Sequence, residues 1–464
     1  MANLFFKKTG IAKTGRTVAL ILPAFLLLIT SKPVTSFSQQ TEQTMEATLT
    51  DLLERAEENN YRIQISSFEE ESAKAQYRQT NAVFLPGISA EISGTTTTDP
   101  VNAFSFKLKQ ESFSEADFNT DILNNPDRID HFSTRFEVRQ PLFNPDRIMQ
   151  RSSVKNRYKA AGEATGATKE MIRYRVKQTY YRLIVSIDQV KTLETALEAA
   201  GENRRNAENF FDQGMISRAD FLSAEVRVIE IESDLLSAED NIETLQDNLN
   251  FQLGMEENVR IMPSDSLAEP AEVTVADIRN GVFTGNSAIR ALEFQKTAAE
   301  KQLQSGRYSF LPSINAFGAY EMNDDVLLGN QGDNYTIGAT LRWNLFSGFE
   351  KAGKVMQSKA ELNRVNTALV QKREEQKLEI RKAERTLQQA QKQLQLAKAS
   401  IEQSGEDFRI RSDRYEQGLE KTSDLLAAEA GLLRSRMQRL QALYNIYESV
   451  AKLEMIYENE WITE

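Results

Sequence analysis

The chain is written twice. Phe84-Leu85-Pro86 returns as Phe310-Leu311-Pro312, Leu142-Phe143 as Leu345-Phe346, and Phe211-Asp212-Gln213-Gly214 as Tyr415-Glu416-Gln417-Gly418. Self-similarity over about 200 residues means one structural unit used twice. Each local reading in one copy is therefore tested by its twin in the other.

Between the repeated motifs the hydrophobic pattern is that of long helices. Val176, Thr179, Leu183, Ser186, Val190, Leu193 and Leu197 alternate steps of three and four, and Ile380, Ala383, Leu387, Ala390, Leu394, Ala397 and Ile401 repeat them 204 residues later. That spacing predicts a coiled-coil seam in each copy, and the shared phase argues against two unrelated surface helices. Residues 145–210 carry no proline after the first position and predict a helix of roughly 100 Å at 1.5 Å per residue. The return segment, about 219–253, and the entering segment, about 51–84, predict helices of roughly 50 Å each. Two such helices end to end match one long helix, so each repeat reads as a tall antiparallel wall rather than a globular core. A mean hydropathy of −0.48 suits that.

Between the short and the long helix the period changes to two. Ile88, Ala90, Ile92 and Gly94 alternate with Ser89, Glu91 and Ser93; Phe132, Thr134, Phe136 and Val138 alternate with Ser133, Arg135, Glu137 and Arg139. The second copy repeats the plan with Ile314, Ala316, Gly318 and Tyr320, then Tyr335, Ile337, Ala339, Leu341 and Trp343. Period two with one apolar face predicts half-buried strands, at about ten residues each long enough to cross a bilayer. The plainer alternative is a small sheet covering the end of a bundle. Four strands cannot close a barrel and open edges cannot exist in lipid, so membrane insertion requires several chains; three would supply twelve strands.

Composition narrows the function classes. Residues 1–38 carry Lys7, Lys8, Lys13 and Arg16, then an apolar run over 17–29 and small residues at Ser36 and Ser38, the pattern of a secretory signal peptide. Thirteen apolar residues are too few to span a bilayer as a helix. Cleavage there removes five positive charges and no negative ones, taking the formal charge from −11 to −16. So acidic a chain argues against nucleic acid as a partner. Zero cysteines exclude disulfides, thiolate metal sites, a cysteine nucleophile and an N-terminal lipid-modified cysteine. A single histidine, His131, leaves no imidazole cluster for zinc or a catalytic triad, and no carboxylate pair stands out as acid and base among the solvated Glu and Lys of 372–398. The chain is read as a non-enzyme without cofactors.

Two features need separate readings. The first hairpin runs 55 steps from Pro86 to Pro141, whereas Pro312 to Asn344 takes 32. The 23 extra residues include Phe104, Phe106, Phe113 and Phe118, and barrels keep such variation in external loops. His131, where this loop meets a strand, is read as structural. Gly348-Phe-Glu-Lys-Ala-Gly353-Lys354 approaches a phosphate-binding loop, but Val355 follows where a hydroxyl should hold Mg²⁺. It is read as the turn from strand into long helix.

The signal peptide, the duplicated helix-hairpin-helix plan, Pro141-Leu142-Phe143 and Asn344-Leu345-Phe346-Ser347-Gly348 at the strand-to-helix junctions, and the two interhelical turns together resemble the TolC-like outer membrane factor family. The fullest signature is Tyr415-Glu-Gln-Gly418-Leu419-Glu420-Lys421-Thr422-Ser423-Asp424-Leu425-Leu426-Ala427-Ala428-Glu429. Its twin runs Phe211-Asp-Gln-Gly214-Met215-Ile216-Ser217-Arg218-Ala219-Asp220-Phe221-Leu222-Ser223-Ala224-Glu225. Helix-ending glycines and capping residues explain much of both turns by themselves. The resemblance implies more. It makes the fold a mixed, mainly α one: long antiparallel coiled-coil helices forming an α-barrel, and four strands per chain contributing to a trimeric 12-stranded transmembrane β-barrel. It puts Gly214, Met215, Gly418 and Leu419 in an adaptor-contacting periplasmic tip. It makes Tyr415 and Asp220 gate residues that pair between neighbouring subunits, and sets Asp424 in a ring of three carboxylates, a candidate cation site. Helix capping accounts for Asp424 equally well. The family prototype's gate-locking Arg falls at Glu420 and its second ring Asp at Ala427. An arginine lock is therefore not implied, and cation-dependent closure or a looser entrance is.

The expected organisation is a signal peptide at 1–38, a first repeat at 39–254, a linker or equatorial segment at 255–285, a second repeat at 286–457 and a tail at 458–464. The expected protein is a gated, passive exit duct in the outer membrane with a large periplasmic extension. Its partners would be two further copies in a homotrimer, outer-membrane lipid, a periplasmic adaptor (membrane fusion) protein and an inner-membrane pump of RND or ABC type. The alternative is a periplasmic coiled-coil scaffold without channel activity, and a hydrolase is third.

Overall fold

The computed structural model describes residues 43–256, 258–269 and 286–459. The signal-peptide reading of 1–38, the latter part of the linker at 270–285 and the tail end at 460–464 lie outside them.

The first repeat opens with strand β1 (Gln43–Ala47), helix α1 (Leu49–Asn59) and helix α2 (Tyr61–Gln79). The entering segment is thus not one helix to residue 84 but two, followed by a 3-10 turn at Thr80–Val83. Asn60 causes the break: its backbone is extended at ψ 123, its Oδ1 caps α2 by accepting from the Arg62 and Ile63 amides, and its Nδ2 donates to the Gln252 carbonyl. Strand β2 (Gly87–Thr97) follows, then an insert with α3 (Pro100–Lys109), a 3-10 turn and α4 (Thr120–Asn124). Strand β3 (Ile129–Phe143) leads into the 68-residue α5 (Pro145–Asp212), and α6 (Arg218–Leu253) returns. Strand β4 (Val259–Pro263) ends the described part of the linker. The second repeat is α7 (Ser287–Tyr308), β5 (Ser313–Asp324), β6 (Gly332–Arg342), the 67-residue α8 (Glu350–Glu416) and α9 (Thr422–Tyr457).

The helices form a single wall. Nearer the strands α2, α5, α7 and α8 lie side by side; nearer the turns the order is α6, α5, α9, α8. Short helices meet end to end as their lengths require. Asn60 and Gln252 join α2 to α6, and Asn286 Nδ2 donates to the Ile456 carbonyl where α7 meets α9. The predicted seams are buried. Val176 and Leu183 share a core with Leu249 and Leu253 of α6, while Leu387, Ala390 and Leu394 pack on Leu443, Ile446 and Val450 of α9.

The four long strands make one antiparallel sheet in the order β2-β3-β5-β6. Its register sorts the side chains by face. Ile88, Val138, Gly318 and Ile337 form one row, and Ala90, Phe136, Tyr320 and Tyr335 the next on the same side. The rows between them, Ser89-Glu137-Ala319-Thr336 and Glu91-Arg135-Glu321-Asn334, face the other way, and Arg135 reaches both Glu137 and Glu321. One face is apolar and one polar. The apolar face is bare within the chain, Ile88 and Ile337 being 75% and 79% exposed. β2 and β6 are edge strands, each with one sequence-neighbour partner.

A second sheet, β1 parallel to β4, was not foreseen. It lies at the junction of α2 with α6, where Gln246 brackets Ile261 by donating to its carbonyl and accepting from its amide. The insert is also more ordered than a plain loop. Gln110 donates to the carbonyls of Asp130 and Asp324, His131 stacks on Phe106 at 4.0 Å, and Lys107 pairs with Asp117. His131 is 5% exposed within these contacts, a structural role. The phosphate-loop-like segment is a turn: Gly348 and Phe349 take φ of 59° and 64°, α8 starts at Glu350, and Lys354 pairs with Glu350.

Candidate functional site at the interhelical turns

Both long helices end in the same device. Gly214 at φ 70° lets its amide bond the Phe211 carbonyl and the Met215 amide bond the Phe210 carbonyl; Gly418 at φ 73° does the same with Tyr415 and Arg414. The left-handed residue satisfies carbonyls that a helix end leaves open, and glycine adopts it without Cβ strain. Met215 and Leu419, just past the glycines, are exposed. All four expected adaptor-contacting residues thus sit at the end of the wall remote from the sheet.

The return helices start differently. Ser217 caps α6, and Asp220 closes a capping box by accepting from the Ser217 amide and hydroxyl at 3.2 and 2.7 Å. At the twin position Lys421 caps α9 and has no hydroxyl to share, so Asp424 closes no such box. It stands half-exposed in the first turn of α9, its amide on the Lys421 carbonyl and the Ser423 hydroxyl 3.5 Å away. A carboxylate there is favoured by the helix dipole and remains available to other ligands. Among the described residues no group of three carboxylates or imidazoles within the chain is placed to hold a metal, so an Asp424 ring requires other copies.

Between the turns lies a cavity of about 340 Å³ whose lining includes Met215, Asp220, Tyr415, Gly418, Glu420 and Thr422. Tyr415 is 2% exposed; its hydroxyl lies 3.1 Å from Thr422 Oγ1 and its ring stands edge-on to Phe210 at 5.4 Å. Burial, with a lesser contribution from the Asp220 charge, pushes the phenol above its ordinary range. In one chain, then, Tyr415 and Asp220 border one cavity, and the Tyr415 hydroxyl is engaged within its own turn.

Glu420 accepts from Arg414 at 2.9 Å and Arg411 at 3.4 Å, both on α8, while Arg411 also holds Asp407. The turn therefore carries an arginine-carboxylate network within one chain, with the carboxylate on the turn and the guanidiniums on the long helix. Arg411, Arg414, Phe210 and Thr422 were not singled out from the sequence. The only available signal was Arg414 in the last helical turn, where cations are favoured; its partner lies six residues on, beyond a left-handed glycine.

The model of the outer membrane efflux protein family matches residues 52–255 and 283–457. No curated protein matches the chain by sequence. Among solved structures, the outer membrane protein VceC of Vibrio cholerae superposes with a TM-score of 0.74 at 17% identity, over 88% of this chain and 95% of that one. The Campylobacter jejuni CmeC outer membrane channel gives 0.77 at 17%, over 88% and 84%. The open-state Neisseria gonorrhoeae MtrE channel gives 0.70 at 17%, over 89% of each chain. These likenesses carry the fold, and the family match spans both repeats; the chain belongs to the outer membrane efflux protein family, the TolC-like channels of the outer membrane.

Proposed function

We propose that three copies of the chain form an efflux or type I secretion exit duct: twelve strands in the outer membrane, a helical tunnel below them, and a gate at the interhelical turns. The observation that carries this is the sheet. It has one bare apolar face, one polar face bearing Arg135, Glu137 and Glu321, and unpaired outer edges on β2 and β6. A closed barrel with lipid outside and water inside satisfies all three features. The flanking residues agree. Phe84, Phe143, Phe310, Trp343 and Phe346 are exposed where the strands meet the helices, as an aromatic girdle at a membrane interface would be.

The wall also has unfinished edges. On α6, Leu222, Val226, Ile229 and Leu236 are exposed at heptad-compatible steps, and on α8 so are Leu378, Leu396 and Ile410. Contact between these edges in neighbouring copies extends the coiled-coil packing around a tunnel. At the tip, Gly214, Met215, Gly418 and Leu419 are the adaptor-docking surface, and Asp220, Tyr415, Glu420 and Asp424 are the gate. An inner-membrane pump of RND or ABC type supplies the energy; the duct is passive.

Detergent extraction of membranes should yield a trimer that conducts in planar bilayers. A soluble monomer after signal cleavage would instead support the periplasmic scaffold and overturn the duct.

A further inference from the structure

Glu429 closes the repeated signature, yet it takes no part in the turn hydrogen bonds or in the lining of the cavity between them. It lies on α9, about 7 Å above Asp424 at 1.5 Å per residue, and is 4% exposed. Its two oxygens reach different helices: Asn203 Nδ2 of α5 donates to Oε2 at 2.8 Å, and Arg227 Nε of α6 donates to Oε1 at 3.2 Å. Arg227, itself mostly buried, also pairs with Glu230 at 3.3 Å. One carboxylate thus ties the helix that carries Asp424 to both helices of the first repeat.

Its place in the seam is what gives this weight. Above Glu429, α9 meets the first repeat through Leu433 and Met437, then Leu440, Tyr444, Tyr447 and Ala451. The steps are those of a heptad seam, apolar throughout, until Glu454 pairs with Lys177 at 2.8 Å with both side chains under 10% exposed. The seam has a buried carboxylate paired with a cation at each end. Polar groups in an apolar seam fix register, because any other alignment buries them unpaired. The twin residue shows that the motif alone does not demand this: Glu225 is only half-buried and has no Arg227 equivalent, Gly431 occupying that position 204 residues on.

We infer that Glu429, with Asn203 and Arg227, is the latch that holds the gate-bearing end of α9 against the first repeat, and that tip opening requires this contact to break while the Glu454–Lys177 contact stays. The inference rests on the duct reading. It assigns Glu429 a positioning role: it holds Asp424 and Tyr415 in the closed arrangement without lining the pore.

The test is single-channel recording of the purified trimer in planar bilayers. Glu429→Gln keeps the Asn203 bond and removes the charge facing Arg227; the open fraction should rise on the order of tenfold, as expected when a mostly buried cation loses the buried one of its two carboxylate partners and keeps only Glu230. Glu429→Gln combined with Arg227→Gln leaves two neutral groups able to hydrogen-bond, and should return the open fraction towards wild type. Glu225→Gln, at the unlatched twin position, should leave it unchanged. If Glu429→Gln yields no trimer, Glu429→Asp, which keeps the charge but shortens its reach, should give an intermediate rise. An unaltered open fraction in Glu429→Gln, or in Glu429→Asp where that variant is the one used, overturns the latch, as does a double variant no more closed than the single one. A wild-type protein that neither trimerises nor conducts overturns the duct reading instead.

Discussion

Replacing Gly214 or Gly418 by alanine isolates the conformational cost of the tip turns. At φ 70° and 73° an L side chain strains against its own backbone, at about 1–2 kcal/mol per residue. At Gly214 a Cβ would have no atom within 4 Å, so that cost stands alone. At Gly418 it would lie 3.1 Å from Met215 Cε. The methyl is the free end of a flexible side chain, and moving it adds no more than about 0.5–1.5 kcal/mol, the scale of a strained rotamer. The local effect falls on the amides of Gly214, Met215, Gly418 and Leu419, whose bonds close the two turns. Exchange at residue 214 and Met215 should quicken roughly 5- to 30-fold in Gly214→Ala, the factor that 1–2 kcal/mol represents, and exchange at residue 418 and Leu419 at least as much in Gly418→Ala. Met215→Ala should bring Gly418→Ala back to the level of Gly214→Ala. Asparagine tolerates the left-handed region better than alanine, so Gly214→Asn should exchange more slowly than Gly214→Ala despite its larger side chain. If Asn proves the worse substitution, crowding rather than backbone strain governs the turn, and the reasoning fails.

Three further outcomes follow from the same geometry. Leu387→Ala removes a fully buried side chain flanked by Ala383 and Ala390, which are too small to fill the gap; a loss of about 2–5 kcal/mol in denaturant unfolding is expected, and a loss under about 1 kcal/mol would mean the seam collapses around it. In the insert, the Lys107 hydrogen bond first, then those from Ser114, hold Asp117 down at about 2. A depressed carboxylate stabilises the fold above its unfolded value near 3.8 and loses that contribution as pH falls through about 2. Proteolysis of the insert should therefore stay slow through the ordinary carboxylate range and quicken only below it, and Lys107→Met should move the onset upward. Asp424→Ala should abolish block of the channel by divalent cations; equal conductance of variant and wild type, with and without the cations, would remove Asp424 from the gate.

Much of the wall was legible because its determinants are periodic. Val176 to Leu197 and Ile380 to Ile401 carry their heptads in residue type alone, and most of those positions, among them Val176, Leu183, Leu193, Leu387, Ala390 and Leu394, are buried by partner helices. The strands announced themselves through period two in both copies, while their order in the sheet is seen only in the structure. What was missed depends on single side chains acting at a distance. Asn60 is a cap-favoured residue, but an asparagine within a helical pattern does not by itself mark a break; here Gln252, 192 residues later, accepts from its Nδ2. In Gln43–Ala47 the alternation of Met45 and Ala47 with Thr44 and Glu46 is too short to stand out; Val259–Pro263 running beside it makes it a strand.

The interhelical turns, the proposed gate, follow the same division. Their glycines and caps were legible, since a left-handed C-terminus and an acidic first turn are local necessities. Asp220, Glu420 and Asp424 were singled out, but the partners of Glu420 and the whole of the Glu429 contact were not, because a charge on a long helix reads as a solvated face until tertiary packing pairs or buries it. Glu225 and Glu429 occupy equivalent places, and only the second meets an arginine and an asparagine. Ser217 and Lys421 are likewise equivalent, and only the serine engages its aspartate. The duplication thus supplies two similar turns, and a few substitutions at matched positions give one a capping box while the other leaves Asp424 outside one, with a buried carboxylate, Glu429, gripping the neighbouring helices above it. In the proposed gate that asymmetry assigns the movement to α8 and α9, and Lys421→Ser, which would restore a capping box to Asp424, should lessen the cation response while leaving the Glu429 contact in place.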